Sequence, residues 1–318
     1  MKYYFAPLQG YTDAVYREVF EKHFKGMDAY VTPFCRVERG EMRWHDQKDI
    51  NPERNQGLFA SHRLIPQIIG NTEEEVTLLV DQLYQLGYRA INLNFGCPFP
   101  MIAKKQKGAG ILAFPDMVQE VLSAIKRYPD CSFSVKMRLG MESPSEGMQL
   151  LPMLNSAGLS HITIHPRLGK DQYKGEMDLQ ALDSFQKECK VPLVFNGDIV
   201  DQQTMEAVVR RFPELEGVMI GRGLLMNPFL IEELNGATID RTEKAKRLRA
   251  FLSDLQEGYS AVMNGGELQL VQKLASLWEY LLPDVEKRLR KKIMKSRNLS
   301  DYNSNVVEAL RDYKTSGE

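Results

Sequence analysis

Cys97 stands apart from the other three cysteines. It sits between Gly96 and Pro98, just past the run Ala90-Ile-Asn-Leu-Asn-Phe95. A thiol in a turn at a strand end can act as a nucleophile or as a proton donor, the bland alternative being a small buried apolar side chain. Cys35, Cys131 and Cys189 take the bland reading. No two cysteines form Cys-x-x-Cys, so neither a zinc site nor any other metal site nor a disulfide framework is expected. Other reactive side chains recur along the chain: Gln67, Asn92 and Asn94, Lys136 and Arg138, His165 and Arg167, then Asn196-Gly197-Asp198 and Gly221-Arg222-Gly223. A desolvated Lys136 could form a Schiff base, or its charge could stabilise a reduced flavin at the pyrimidine edge. The Gln67 amide both donates and accepts and so suits the flavin, but these residues leave both chemistries open. The two glycine-containing turns let backbone N–H groups approach an anion, and Arg222 adds charge, which points to a phosphate-bearing ligand.

Each of these groups lies at or just past the end of a short apolar segment. The segments are Tyr3–Ala6, Ala29–Thr32, Ile65–Ile69, Ala90–Asn94, Phe133–Met137, His161–His165, Leu193–Asn196 and Gly217–Ile220. They lack the alternating polar face of a half-exposed sheet and read as buried parallel strands. Helical stretches separate them. Asn71-Thr-Glu-Glu74 reads as a helix start, Gly87 as its stop, and Asp116 and Asp201 as caps of later helices. Strands alternating with helices in this number predict an α/β fold, a (β/α)8 TIM barrel, over an open doubly wound sheet. In such barrels the active site lies at the C-terminal strand ends, with phosphate commonly bound after the last two strands, so the polar groups would converge on one mouth. After Asn235-Gly236 the pattern becomes purely helical, over Arg241–Met263, Gly266–Leu282, Pro283–Lys295 and Ser304–Tyr313. The expected organisation is a catalytic barrel over 1–235 and a small all-helical domain over 240–318.

The 318 residues, 43% hydrophobic and 26% charged, suffice for a substantial core. No stretch approaches the ~18 apolar residues of a membrane span, and the apolar N-terminus is too short for a signal peptide. A cytoplasmic protein without a membrane partner is therefore expected. The net charge of −1 is uninformative, but residues 240–318 hold 15 Lys+Arg against 12 Asp+Glu, leaving −4 on the remainder. The segment Lys287–Arg297 carries seven basic residues and no acidic one. Alone, such a run is ordinarily a solvated helix face.

Asn92-Leu-Asn-Phe-Gly-Cys-Pro98 resembles the catalytic motif of the FMN-dependent tRNA-dihydrouridine synthase family. Ala6-Pro-Leu-Gln-Gly-Tyr-Thr-Asp13, Gln67, Gly108-Ala-Gly110, Ser134-Val-Lys-Met-Arg-Leu-Gly140, His165-Pro-Arg167, Asn196-Gly-Asp198 and Met219-Ile-Gly-Arg-Gly223 match in order and spacing. Gln172-Tyr173 and Gly175 also fit. The resemblance covers the whole barrel, and the family carries a C-terminal helical domain. It implies that FMN is held by Pro7, Leu8, Gln67, Lys136, His165, Asn196, Gly197, Asp198, Gly221 and Arg222. Asn94, Arg138 and Arg167 would face the uracil, and NADPH would be the reductant. The departures are Leu8 where the family usually has Met, Pro166 and Leu168 in its His-Gly-Arg-Thr motif, and Pro100 and Met101 where a basic residue usually follows the cysteine.

The implied reaction converts uridine to 5,6-dihydrouridine in RNA, tRNA first. Reduced FMN would give a hydride to C6 and Cys97 a proton to C5. A thiol of ordinary pKa near ~8.5 is protonated at neutral pH and can serve as that acid. The uridine must be extruded from its stack, which calls for a surface that grips RNA. Beside such a barrel the basic run, with Arg288, Arg290 and Lys291, becomes a phosphate-binding candidate, as do Lys104 and Lys105 on the Cys97 loop. The protein is expected to act as a monomer. Dihydrouridine synthesis in rRNA, and an FMN barrel oxidoreductase that reduces or oxidises a free pyrimidine, are the rival readings.

Overall fold

The computed structural model describes residues 1–315. The chain divides into two compact units. The first holds Met1–Gly10, Asp28–Gly197 and Val209–Ile220, and the second holds Tyr11–Met27, Asp198–Val208 and the chain from Gly221 onward.

The first unit carries every strand: β1 (Lys2–Phe5), β2 (Ala29–Val31), β3 (Cys35–Glu38), β4 (Glu41–Met42), β5 (Leu64–Ile65), β6 (Gln67–Ile69), β7 (Ala90–Phe95), β8 (Ser132–Gly140), β9 (Ile162–Leu168), β10 (Leu193–Asn196) and β11 (Gly217–Ile220). Their order is β4-β3-β6-β7-β8-β9-β10-β11-β1-β2-β5. All pairings are parallel except the β3–β4 hairpin. β5 and β6 are two halves of one strand parted by Pro66; β5 pairs with β2 and β6 with β7. The sheet therefore closes on itself there, as a TIM barrel. Pro66 has no N–H for the ladder, and its carbonyl accepts from Asn92 N at 2.9 Å. Thr32 spans the gap: its N–H donates to Ile65 O at 3.0 Å, while its Oγ1 accepts from Gln67 N at 3.1 Å.

The two sides of the barrel differ in chemistry. Tyr4, Ala6, Ala29, Val31, Ile65, Val194 and Met219 form one apolar cluster contributed by β1 and the residue after it, β2, β5, β10 and β11. β6 to β9 instead bury Gln67, Asn92, Asn94, Ser134, Thr163 and His165. Buried polar groups are costly unless hydrogen-bonded; Gln67, Asn92, Asn94 and Ser134 bond one another, whereas Thr163 Oγ1 has no partner among the described residues.

The helix Glu73–Gln85 buries Val76, Leu79, Val80 and Leu83, one face at helical spacing. Its N-cap is Thr72 rather than Asn71: Thr72 Oγ1 accepts from Glu75 N at 3.3 Å, and Asn71 Nδ2 donates instead to Lys105 O at 3.1 Å. Gly87 stops this helix with φ +94°, and Tyr88 N returns to Leu83 O at 3.0 Å. Asp116 lies within the first turn of Pro115–Ile125, where Pro115 supplies the start. Asp201 caps as expected, its Oδ1 accepting from Thr204 N at 2.8 Å. The β3–β4 hairpin and the short helices Trp44–Asp49 and Gln56–Ala60 were not expected.

The second unit is helical, and no strand follows Ile220 among the described residues. Its main helices are Ala14–His23, Arg241–Val262, Gly266–Ser276, Lys287–Met294 and Leu299–Thr315. Asp240 caps the longest, accepting from Glu243 N at 2.8 Å. Tyr16 and Phe20 meet Phe251 edge-on, with ring centroids 5.7 and 6.3 Å apart. Asp13 caps Ala14–His23, accepts from Tyr259 Oη at 2.9 Å and pairs with Lys273 at 2.7 Å. Residues 316–318 of the expected tail lie outside the described residues. No helix among those described is long and apolar enough to cross a membrane.

Candidate active site

A single line of hydrogen bonds runs across β6, β7 and β8. Asn94 Nδ2 donates to Gln67 Oε1 at 2.7 Å, Gln67 Nε2 to Asn92 Oδ1 at 2.7 Å, and Asn92 Nδ2 to Ser134 Oγ at 2.8 Å. Strand geometry sets this up. Residues 92 and 94 share a face by the two-residue period, and the register puts both Gln67 and Ser134 beside Asn92. Asn94 Oδ1 then accepts from the N–H groups of Gly96, at 3.1 Å, and Cys97, at 2.9 Å. The buried network thus reaches the turn that carries the thiol and fixes its backbone.

Two glycines complete that turn. Ala109 N donates to Cys97 O at 2.9 Å, so the chain doubles back on the cysteine. At Gly108, with φ +60°, a Cβ would lie 2.6 Å from Cys97 O; at Gly110 it would lie 2.2 Å from Ala103 O. Only glycine permits these approaches. Cys97 is half-buried, and burial pushes its thiol above the ordinary cysteine value. The Phe99 amide, Lys136 and Arg138 pull the other way without prevailing. The net direction favours the protonated thiol. On the same loop Lys107 pairs with Glu75 at 2.5 Å, whereas Lys104 and Lys105 are exposed.

β8 and β9 bring cations to this place. The Lys136 side chain makes no hydrogen bond or ion pair among the described residues; burial first, and then the Arg138 charge, lower its amine to about 7. Arg138, fully buried, donates to Gly96 O at 3.1 Å and Leu168 O at 2.7 Å and lies over the Tyr173 ring at 5.2 Å. No carboxylate is among the groups acting on the Cys97 thiol or the Lys136 amine. Arg167 Nε donates to Gly175 O at 2.5 Å, and its Nη1 lies 3.0 Å from His165 Nε2. A guanidinium only donates, so Nε2 must accept and the His165 proton resides on Nδ1. Asn196, at the end of β10, donates to Met219 O at 2.7 Å. Pro7 and Leu8 follow β1 and are half-buried.

The structure thus brings Gln67, Asn94, Cys97, Lys136 and Arg138 together, and pairs His165 with Arg167. Gly197 packs tightly, a Cβ there lying 2.6 Å from Met177 Sδ. In the second unit Asp198 and Arg222 pair at 2.6 Å, and Gly221 precedes the short helix Arg222–Met226. The basic run is sorted by packing. Arg290 donates to the carbonyls of Trp278 and Glu279 at 2.9 and 2.8 Å, while Arg288 and Lys291 are exposed. Ser134 as the anchor of the amide line, and Tyr173 beneath Arg138, were not singled out for these roles from sequence. The two-residue spacing of Ser134, Lys136 and Arg138 is the signal that could have found Ser134.

A dihydrouridine synthase family model matches residues 4–314. A probable tRNA-dihydrouridine synthase of Staphylococcus aureus is 30% identical over 235 residues, covering 72% of this chain and 70% of its own. tRNA-dihydrouridine synthase B of Pasteurella multocida is 24% identical over 231 residues, covering 71% and 67%. Among solved structures, morphinone reductase has a TM-score of 0.54 at 12% identity, over 75% of this chain and 86% of its own. The old yellow enzyme homologue from Zymomonas mobilis has a TM-score of 0.55 at 10% identity, over 75% and 90%. These two likenesses concern the barrel fold.

Proposed function

The chain belongs to the dihydrouridine synthase family, and on that footing we propose that it reduces uridines of tRNA to 5,6-dihydrouridine with FMN, drawing electrons from NADPH. The observation that carries the reading is the buried amide line from Asn94 through Gln67 to Asn92, which fixes the turn bearing the Cys97 thiol on the strand next to that of Lys136 and Arg138. Such a setting suits an electron-rich ring and a carbonyl-bearing base, and it fits a flavin: an anionic ring would give the buried Lys136 amine, lowered to about 7, the counter-charge that restores its protonated form. When bound, reduced FMN would supply the hydride that uracil C6 accepts. Lys136 and the His165 Nδ1–H would meet its electron-rich edge, with Gln67 contributing its remaining donor and acceptor. Pro7, Leu8, Asn196, Gly197, Asp198, Gly221 and Arg222 are assigned to FMN on the family pattern.

Asn94, Arg138 and Arg167 are assigned to the uracil. Cys97 Sγ–H gives its proton to C5, and the thiolate left behind is stabilised by Lys136 and Arg138 until solvent returns a proton. Residues 240–318 are assigned to holding RNA. Arg288 and Lys291 there, with Lys104 and Lys105 on the Cys97 loop, would take phosphates; Arg290 serves as a brace. The enzyme would work as a cytoplasmic monomer. The test is to purify the protein, identify any released flavin by mass, and incubate it with NADPH and unmodified tRNA transcripts. Dihydrouridine in the digested RNA supports the proposal. Reduction of free uracil or uridine but not of tRNA would refute the RNA assignment, and a colourless protein that takes up no FMN would refute the flavin.

A further inference from the structure

Phe99 and Met101 are 64% and 78% exposed, two and four residues beyond Cys97. Single exposed apolar residues are ordinary on any surface. Two within three residues, beside the reacting thiol, are not accounted for by folding. The backbone presenting them is fixed. Ile102 N and Ala103 N both donate to Phe99 O at 2.8 Å, Lys104 N donates to Pro100 O at 3.0 Å, and Asn71 Nδ2 holds Lys105 O at 3.1 Å. Gly110 lets the following chain lie against Ala103. The exposed Lys104 and Lys105 come next.

An aromatic face followed at once by free cations is the combination by which proteins hold unpaired nucleotides: the ring stacks on a base and the cations take phosphates. Extruding a uridine also breaks its stacking with a neighbour, which then needs another surface. We propose that Phe99, supported by Met101, is a platform on which a nucleobase flanking the target uridine stacks. Both would be positioning residues for RNA, their side chains taking no part in hydride or proton transfer. The inference rests on the tRNA reading of the preceding subsection.

The test compares wild type, Phe99→Ala, Phe99→Trp and Met101→Ala on unmodified tRNA transcripts, alongside NADPH oxidation without RNA. Loss of a stacked base should raise KM for tRNA about tenfold in Phe99→Ala, with RNA-free NADPH oxidation unchanged. Met101→Ala should lose less, and Phe99→Trp should stay near wild type because a π-face remains. The slope of RNA affinity against salt should be unchanged in Phe99→Ala, since stacking releases no counterions. Wild-type kcat/KM in Phe99→Ala overturns the proposal. So does a Phe99→Trp defect as deep as that of alanine, or an equal loss in RNA-free NADPH oxidation, which would make the ring structural. If wild type reduces no tRNA, the function reading fails and this proposal with it; an active wild type matched by Phe99→Ala refutes the platform alone.

Discussion

Lys136 should cost the flavin-free protein stability, and the cost should depend on pH. Its amine falls from 10.5 to about 7 in the folded chain, because burial and the neighbouring Arg138 disfavour the charged form. At ~1.4 kcal/mol per tenfold change in proton affinity, this opposes folding by up to about 5 kcal/mol. The sign follows from proton binding. Between about pH 7 and pH 10.5 the unfolded chain binds the proton more tightly, so stability rises with pH in that window. The full penalty applies below pH 7 and vanishes above pH 10.5. Methionine matches lysine in length without its charge, so Lys136→Met should stabilise the flavin-free protein by about 2–5 kcal/mol near pH 6.5. The advantage should shrink steadily towards ~pH 10. Urea unfolding of both flavin-free proteins at about pH 6.5, 8 and 9.5 measures this directly. A variant no more stable at the lowest pH, or one with the same advantage at every pH, would refute the reasoning. If the proposed contact of Lys136 with the flavin holds, the same variant should also retain flavin poorly.

Cys97→Ala should keep its flavin yet lose about 10²–10⁴ of dihydrouridine formation. Because burial raises the wild-type thiol, wild-type turnover should hold through neutral pH and fall only above the ordinary cysteine range; undiminished turnover in the variant would exclude the acid role. Gly110→Ala would place a Cβ 2.2 Å from the Ala103 carbonyl. It should lower stability by about 2 kcal/mol or more and displace the Cys97 loop, checked by thermal unfolding and turnover together. Removing Arg288 and Lys291 together should weaken RNA binding uniformly across sequences and flatten its salt dependence by about one unit of slope per lost phosphate contact. A matched Arg290→Ala should instead cost folding stability, because it strips donors from the Trp278 and Glu279 carbonyls.

Much of this molecule was legible in the sequence, for a local reason. Buried parallel strands must be continuously apolar, and helices between them must show caps and a 3.6-residue period, so eight segments and their order could be read from the residues. Side chains at strand ends face the mouth, so spacing alone nominated Gln67, Asn94, Lys136, Arg138, His165 and Asn196. Tertiary structure decided what depends on distant partners. Closure of the barrel at Pro66 is a matter of which strands β5 and β6 each pair with. The direction of the amide line from Asn94 to Ser134 follows from register. Seven basic residues between Lys287 and Arg297 look alike in the chain, yet packing commits Arg290 to carbonyls and leaves Arg288 and Lys291 in solvent. Thr72 is the cap, and Asn71 instead bonds Lys105 in the loop after the neighbouring strand β7. The lowered amine of Lys136 arises only once the surrounding strands remove its water. Residue type and period act over a few positions of chain, whereas pairing, desolvation and hydrogen-bond direction are set by neighbours the chain brings together only on folding.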